Sequence, residues 1–311
     1  MDKKDSGNAA DGGAPTELTP VTLALGLRST AQSLGVIGRA LGAFEAQGLD
    51  LQIVREETAG PAGAAGLMSG EFQFAEFGSV PVVQAALEGH DPLIIMAAEQ
   101  VAALYLLGRK GLAGPAQIKT VGVLSAAGQT GFSARQMLAR WDNHEATLLP
   151  LGTYPAIYRA LAEGQVDAGV LTADYKLAGE LAYGFCELAD LGQSLGYQGP
   201  VLATTRRLAQ AQPALLGRML KAYLQSIWLF KHSAAAVIPV LQRHLGFVDA
   251  DQAAAIQAFY AARFQDRPVA SPAGIRRVID SFAGQYPAAK EMLPAAVYDE
   301  IYLEAALRER A

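Results

Sequence analysis

Short apolar runs alternate with segments of helical periodicity over the first two thirds of the chain. The apolar runs have the length of strands and lie at residues 21–25, 51–54, 93–97, 120–124, 147–151 and 166–171. Beyond residue 206 the pattern is helical, with segments predicted at 214–231, 233–244, 249–264 and 271–286. Strands that alternate with helices form mostly parallel sheets, so the pattern predicts an α/β fold followed by a helical tail.

Residues 70–81 predict a strand that leads directly into a helix. Three phenylalanines make this stretch a short apolar run, Ser79 is expected to cap the helix, and Pro81 falls in its first turn. A strand that ends in small residues and feeds a helix leaves backbone N–H groups at the carboxyl edge of the sheet. Open α/β sheets bind their ligands at that edge.

The pattern of helix, glycine and strand occurs twice with the same internal spacing. Pro61 and Gly70 recur as Pro155 and Gly164, and an apolar run followed by a threonine-containing turn precedes each pair. The repeat predicts two lobes of similar topology that face each other. The alternative is a chance recurrence of a pattern that is common in α/β proteins.

Two crossings are expected to join the lobes. The first is predicted at residues 104–111, where an apolar run meets two glycines, and the return at 196–203. The expected divisions are a disordered leader at 1–20, the first part of lobe 1 at 21–108, lobe 2 at 109–198, and a mostly helical return to lobe 1 at 199–311.

Composition narrows the class of protein. A chain of 311 residues with 51% hydrophobic and 18% charged residues can bury the cores of two domains. The net charge of −5 and the lack of a Lys/Arg-rich run argue against nucleic acid as a partner. The single cysteine, Cys186, excludes an intrachain disulfide and a thiolate zinc cluster, and a small buried hydrophobe is its expected role.

The sequence contains no apolar run long enough to cross a membrane, and residues 1–20 lack the apolar core of a signal peptide. The expected location is therefore the cytoplasm, or the periplasm or cell envelope if a signal peptide has been removed from the native chain.

Four phrases, in the same order, resemble the solute-binding proteins of ABC importers for nitrate, sulfonates, taurine and thiamine pyrimidine precursors. They read LGAFEAQGLDL at 41–51, SGEFQFAEFGS at 69–79, ALAEGQVDA at 160–168, and QPAL at 212–215 followed by YLQSIW at 223–228. The resemblance covers roughly residues 21–303. It implies a type II periplasmic-binding fold, α/β, with two lobes that close on a solute by a hinge motion and a helical C-terminal tail packed on lobe 1.

In that family, ligand contacts come from loops that follow strands, which is the edge that the strand pattern also indicates. Two unusually placed carboxylates, Glu76 and Glu99, add to the candidates. The candidate ligand-binding residues are Arg28, Ser29, Thr30, Gln32, Thr58, Gly60, Glu76, Gly78, Ser79, Glu99, Ser125, Gly128, Thr130, Phe132, Thr153, Tyr154, Asp174 and Tyr175. Gly78 and Gly128 would let the backbone approach the ligand, and Phe132, Tyr154 and Tyr175 would form an aromatic wall.

Several candidates have an ordinary structural alternative. Ser79 can act only as a helix cap, Tyr154 can lie on the surface of a lobe, and Asp174 can face solvent. Arg28 can pair with an anionic solute or with Glu76 or Glu99. Carboxylates in the cleft would repel anions and argue against a simple nitrate or sulfonate site.

Enzymes share this fold, so an enzymatic alternative stays open. One cysteine cannot supply the cysteine-rich motif of yeast-type thiamine pyrimidine synthases, and no cysteine follows the first strand as in sulfinate desulfinases. A chorismate-dehydratase-like lyase would need only a cleft carboxylate, a role for Glu76, Glu99 or Asp174.

The favoured prediction is a monomeric, non-enzymatic protein that binds a small organic solute and delivers it to the permease subunits of an ABC importer. No cofactor, metal or nucleic acid is expected.

Overall fold

The structure is a computed structural model, and it describes residues 17–56, 60–126 and 128–309. Thr58 therefore lies outside the described residues, as does most of the predicted leader at 1–20.

The described residues form ten β-strands. In chain order these are β1 Thr19–Leu25, β2 Leu49–Arg55, β3 Phe74–Phe77, β4 Pro92–Met96, β5 Leu104–Gly108, β6 Thr120–Val123, β7 Thr147–Pro150, β8 Ala168–Thr172, β9 Cys186–Asp190 and β10 Val201–Thr205.

Thirteen α-helices accompany the strands in the described part of the chain. They are α1 Leu34–Ala40, α2 Pro61–Ser69, α3 Ser79–Leu87, α4 Gln129–Arg140, α5 Tyr154–Ala162, α6 Ala173–Tyr183, α7 Leu191–Leu195, α8 Arg206–Ala211, α9 Pro213–His232, α10 Ala234–Leu245, α11 Ala250–Arg263, α12 Pro272–Ser281 and α13 Ile301–Arg308.

Two five-stranded sheets define the two predicted lobes. Lobe 1 has the strand order β2-β1-β3-β10-β4, and lobe 2 has the order β7-β6-β8-β5-β9. The fourth strand of each sheet, β10 in lobe 1 and β5 in lobe 2, is antiparallel to both of its neighbours. Each of these strands is the first one after the chain crosses from the other lobe. The two lobes therefore have the same topology.

The glycines of the sequence repeat occupy equivalent positions in the two lobes. Gly70 ends α2 with a φ of 81°, and Gly164 follows α5 with a φ of 71°. A left-handed residue after a helix is most often glycine, because a side chain there is strained. The strands that follow, β3 and β8, occupy equivalent third positions in the two sheets.

The first crossing occupies different residues from those predicted. Residues 104–108 form β5, which pairs with β8 and β9 inside lobe 2, so the chain crosses at 97–103 instead. An apolar run next to glycine has the same local pattern whether it bridges two sheets or lies within one. The return occupies 196–200, because β10 already begins at Val201. Thr19 and Pro20, assigned to the leader, are part of β1.

Gln198 connects the two crossings. Its Nε2 donates to the carbonyl of Glu99 at 2.8 Å, and its Oε1 accepts from the backbone N–H of Ser271 at 2.6 Å. Its own carbonyl accepts the Ser79 hydroxyl at 2.8 Å. This buried amide thereby joins both crossings to the beginnings of α3 and α12.

The helical tail packs mainly on lobe 1, as predicted, but it also contacts lobe 2. Helix α9 lies against α1 and α13, whereas α11 contacts α6 of lobe 2. In the loop before α11, the Phe247 ring stacks on Tyr175 of α6, with centroids 4.4 Å apart. The tail is therefore a third link between the lobes.

Among the described residues, no single helix is long and apolar enough to cross a membrane. Helices α9 and α10 are long and apolar enough only when they are taken together, and the chain bends by 105° between them.

Close backbone approach holds α9 on α1. A Cβ on Gly38 would lie 2.0 Å from the Ser226 hydroxyl oxygen, and one on Gly35 would lie 3.0 Å from the Tyr223 hydroxyl. Gly35 and Gly38 of α1 thus face Tyr223 and Ser226 of α9, and the two residues on each helix are three positions apart in the sequence. Only glycine on α1 leaves room for these α9 side chains.

We expect Gly38→Ala to lower the free energy of unfolding by about 1–3 kcal/mol, because the added methyl group overpacks this contact. Gly217→Ala is the matched control: Gly217 lies in α9 with open space around the position of a Cβ, so alanine should raise stability by up to about 1 kcal/mol. Urea denaturation of both variants measures the two changes. Equal effects of the two substitutions would contradict the packing argument.

Candidate functional site

A cavity of about 370 Å³ lies between the lobes. Its walls come from the ends of β1 and β3 in lobe 1, from the ends of β6, β7 and β8 in lobe 2, and from both crossings. This is the carboxyl edge of both sheets, where the strand pattern predicts a ligand site. The volume falls within the range of roughly 300–1,000 Å³ that is usual for small-molecule pockets.

Eight of the predicted site residues that the structure describes line this cavity. They are Ser29, Gln32, Gly60, Gly78, Ser125, Gly128, Thr130 and Tyr154. They come from loops of both lobes, so the structure brings together segments that are far apart in the sequence.

Other polar lining residues were not predicted individually. Gln129 and Thr172 lie within two residues of predicted site residues, whereas Gln84 lies in α3 and Gln285 follows α12. No local sequence signal marks the last two, since they reach the cavity only through the packing of the helices. The small residues Ala102, Ala103 and Pro200 of the crossings complete the wall.

Three of the described helices begin at the cavity without a side chain that caps them. The N-caps of α2, α3 and α4 are Gly60, Gly78 and Gly128, each without a side-chain cap hydrogen bond. All three glycines line the cavity. The first N–H groups of a helix have no partner within the helix, so they are available to a ligand from both lobes.

Ser79 does not cap α3, contrary to the prediction. The N-cap is Gly78, and the Ser79 side chain is completely buried, where it donates to the carbonyl of Gln198. Ser79 therefore ties the start of α3 to the second crossing and does not line the cavity.

Glu76 supports α1 and does not line the cavity. Its carboxylate accepts from the backbone N–H groups of Leu34 and Gly35 at 3.0 and 3.1 Å, and from the Tyr223 hydroxyl at 3.1 Å. A carboxylate at the first turn of a helix satisfies N–H groups that lack helical partners. Burial nevertheless raises the pKa of Glu76 to about 7, against the lowering effect of these hydrogen bonds.

Asp174 links the lobes behind the cavity. Its carboxylate in α6 accepts from the Thr30 backbone N–H of lobe 1 at 3.1 Å and from the Thr172 hydroxyl at 2.9 Å. The Tyr260 hydroxyl of α11 approaches the same group at 3.4 Å. Asp174 is completely buried and does not face solvent, and this burial raises its pKa. Neither Asp174 nor Thr30 lines the cavity.

Glu99 holds the first crossing. It pairs with the Arg263 guanidinium at 2.6 Å, and Arg263 also donates to the carbonyl of Val101 at 2.8 Å. Burial raises the pKa of Glu99 to about 7, although the guanidinium lowers it. The pair fixes the end of α11 to the crossing, and neither side chain lines the cavity.

Arg28 has a different ion-pair partner from those predicted. Its guanidinium lies 3.6 Å from the carboxylate of Glu56, outside the cavity wall. Both side chains are well exposed, so this pair contributes little to stability.

Only one of the three predicted aromatic wall residues lines the cavity. Tyr154 does so, whereas Tyr175 lies behind it with the ring centroids 5.6 Å apart. Phe132 packs edge-on against Phe282 of lobe 1 at 6.0 Å, so it joins the lobes beside the cavity. Thr153 caps α5 by accepting from the Ala156 N–H at 3.3 Å.

The enzymatic alternative required a carboxylate in the cleft. Each of its three candidates, Glu76, Glu99 and Asp174, lies outside the described cavity wall and is engaged by protein groups. Among the described residues, no group of three or more His, Cys, Asp or Glu side chains could hold a metal ion.

Two lobes joined by two crossings around an interlobe cavity define the periplasmic-binding-protein fold. The NMT1/THI5-like family model matches residues 33–236, which is more than half of the chain, so the protein belongs to this family. The predicted resemblance is thereby confirmed. No curated protein matches the sequence.

Solved structures with low sequence identity share the fold. The alkanesulfonate-binding protein SsuA from Xanthomonas axonopodis pv. citri, bound to MOPS, is 20% identical with a TM-score of 0.72, and the match covers 91% of this chain and 99% of that one. The aliphatic sulphonate-binding protein SsuA from Escherichia coli is 19% identical with a TM-score of 0.67, over 89% of each chain. A cysteine-to-serine mutant of DszB in complex with biphenyl-2-sulfinic acid is 16% identical with a TM-score of 0.67, over 94% and 99%.

We expect Glu76→Gln to reduce the pH dependence of stability. The folded pKa lies near 7, above the ordinary 4.5, so the contribution of Glu76 is fully present below about pH 4.5 and is lost as the pH rises through 7. At about 1.4 kcal/mol per pKa unit, the loss amounts to a few kcal/mol. Urea unfolding at several values between pH 4.5 and pH 8 measures it in both proteins.

Glu88→Gln is the control for this experiment. Hydrogen bonds from Tyr286 and Gln84 lower the pKa of Glu88, so its contribution changes only at pH values below that window. The Glu88→Gln variant should keep the wild-type slope. A Glu76→Gln variant with the same slope as wild type would show that Glu76 titrates normally.

Proposed function

We propose that the protein binds a small organic solute in the interlobe cavity and delivers it to the permease of an ABC importer, without chemical change to the solute. The observation that carries the proposal is the cavity itself, whose walls come from both lobes at the carboxyl edges of both sheets. A ligand in this position contacts both lobes and stabilises their contact with each other.

The mechanism that we propose is closure about the two crossings. Lobe-to-lobe contacts surround the cavity, at Thr30 with Asp174 and at Phe132 with Phe282. A solute can enter when such contacts separate, and closure after entry buries it. A binding protein needs this two-state behaviour, because the permease must distinguish the loaded form from the empty one.

The relatives in fold support this function. The two SsuA structures are named as sulfonate-binding proteins, and one contains a bound organic sulfonate buffer, MOPS. By analogy we propose a monomer that works with permease subunits. It would act in the periplasm or cell envelope if the native chain is exported, and in the cytoplasm otherwise.

Thermal unfolding of the purified protein against a panel of sulfonates, nitrate, aromatic carboxylates, amides, pyrimidines and amines tests the proposal. A ligand at about a thousand times its Kd stabilises the folded state by roughly 4 kcal/mol. We expect Tm to rise by several degrees with one solute class, and mass spectrometry to recover that solute unchanged.

Gly78→Phe tests whether the cavity is the binding site. A Cβ on Gly78 would lie 3.4 Å from the Gln129 side-chain oxygen of the other lobe, so a phenylalanine ring there obstructs the cavity. The variant should lose the ligand-induced shift, whereas Gly217→Phe, on the outer part of α9, should keep it. A solute consumed during incubation would favour the enzymatic alternative. No shift with any class would count against solute binding.

A further inference from the structure

The described cavity wall contains no ionisable acid or base other than the phenol of Tyr154. Its polar side chains are hydroxyls and amides, among them Gln32, Gln84, Gln129 and Gln285. The remaining lining residues are glycine, alanine, proline, leucine, valine and phenylalanine.

The arginines that lie near the cavity are engaged elsewhere. Arg28 pairs with Glu56, and Arg263 pairs with Glu99 and the first crossing. Arg135 donates to the carbonyl of Ala126 and lies over the Phe132 ring, 5.4 Å from its centroid. None of the three is part of the described wall.

An acidic side chain, in contrast, lies close behind the wall. Thr172 lines the cavity, and its hydroxyl donates to the completely buried Asp174 carboxylate. An anion in the cavity would leave water without gaining a cationic partner and would approach this carboxylate. Removal of an ion from water costs several kcal/mol unless a counter-charge compensates for it, whereas a neutral polar group costs far less.

Resting on the proposed function, we propose that the solute is uncharged, with an apolar body and at least one amide-like or carbonyl-like edge. The body occupies the apolar part of the wall, beside Leu27, Phe77 and Leu104. The amide of Gln129 supplies both a donor and an acceptor, which matches a ligand edge that carries both. The uncapped N–H groups of α2, α3 and α4 bind its carbonyl or sulfonyl oxygens.

The same N–H groups would suit an oxyanion, since helix N-termini bind anions in many proteins. The opposing outcome of the test is therefore a preference for anions. One measurable ratio separates the two possibilities: the affinity for a neutral compound divided by that for an anion of the same shape. The ratio lies above one for an uncharged ligand and below one for an anion.

Calorimetric titration of the full chain at pH 7.5 with matched pairs measures this ratio. The pairs are benzenesulfonamide with benzenesulfonate, benzamide with benzoate, and cyclohexanecarboxamide with cyclohexanecarboxylate. In each pair that binds, we expect the neutral member to have a Kd at least about tenfold lower, which corresponds to about 1.4 kcal/mol.

Gln129→Arg tests the position of the charge. A guanidinium at this point of the wall should reverse the preference, raising the affinity for the anionic members by about tenfold. Gln210→Arg is the matched control, because it adds the same charge at an exposed position in α8, and it should leave every Kd unchanged.

The failures of the two proposals can be distinguished. Three outcomes would overturn the proposal of an uncharged ligand and leave the proposal of solute binding intact. They are tighter binding of the anions by the wild type, equal affinities within each pair, and no change in affinity on Gln129→Arg. No binding of any compound, neutral or anionic, would count against both proposals.

Discussion

The geometry of the cavity depends on the hydrogen bonds of one buried amide, Gln198. Both crossings contribute to the cavity wall, through Ala102 and Ala103 on one side and Pro200 on the other. Gln198 holds these segments against each other and against the starts of α3 and α12. A buried polar group without its partner costs about 1–3 kcal/mol, so a different arrangement of the crossings is strongly disfavoured.

The buried acids show why chemistry is hard to read from sequence alone. Glu76, Glu99 and Asp174 stand out in apolar surroundings, and the sequence suggests that they face the cleft. In the structure each one satisfies protein groups: the first turn of α1, the Arg263 guanidinium, and the N–H of Thr30. Glu76 lies in a strand, Glu99 in the first crossing and Asp174 in a helix, and the partner of each comes from a segment that is distant in the sequence, so no local pattern indicates it.

Local chemistry explains which parts of the fold could be predicted. Gly70 and Gly164 adopt left-handed backbones that favour glycine, so the sequence predicts the repeat and the third strand of each sheet. The sequence pattern predicts a crossing where β5 lies, because the strands that pair with β5, namely β8 and β9, are distant in sequence. The pattern does not predict β9, because β9 is an edge strand with the polar residues Glu187 and Asp190. The same holds for the residues of the cavity. The sequence predicts Gly128 because it lies in a loop that follows a strand, whereas Gln285 reaches the cavity only because the helical tail folds back on lobe 1.

The strand order also determines when each lobe can be completed during synthesis. All five strands of lobe 2 lie within residues 104–190, so they leave the ribosome as one continuous stretch. Lobe 1 lacks β10 until residues 201–205 have emerged, and β10 is the strand that joins β4 to the rest of the sheet. The lobe that is translated first is therefore the one that is finished last, with a hydrophobic sheet edge open in the interval.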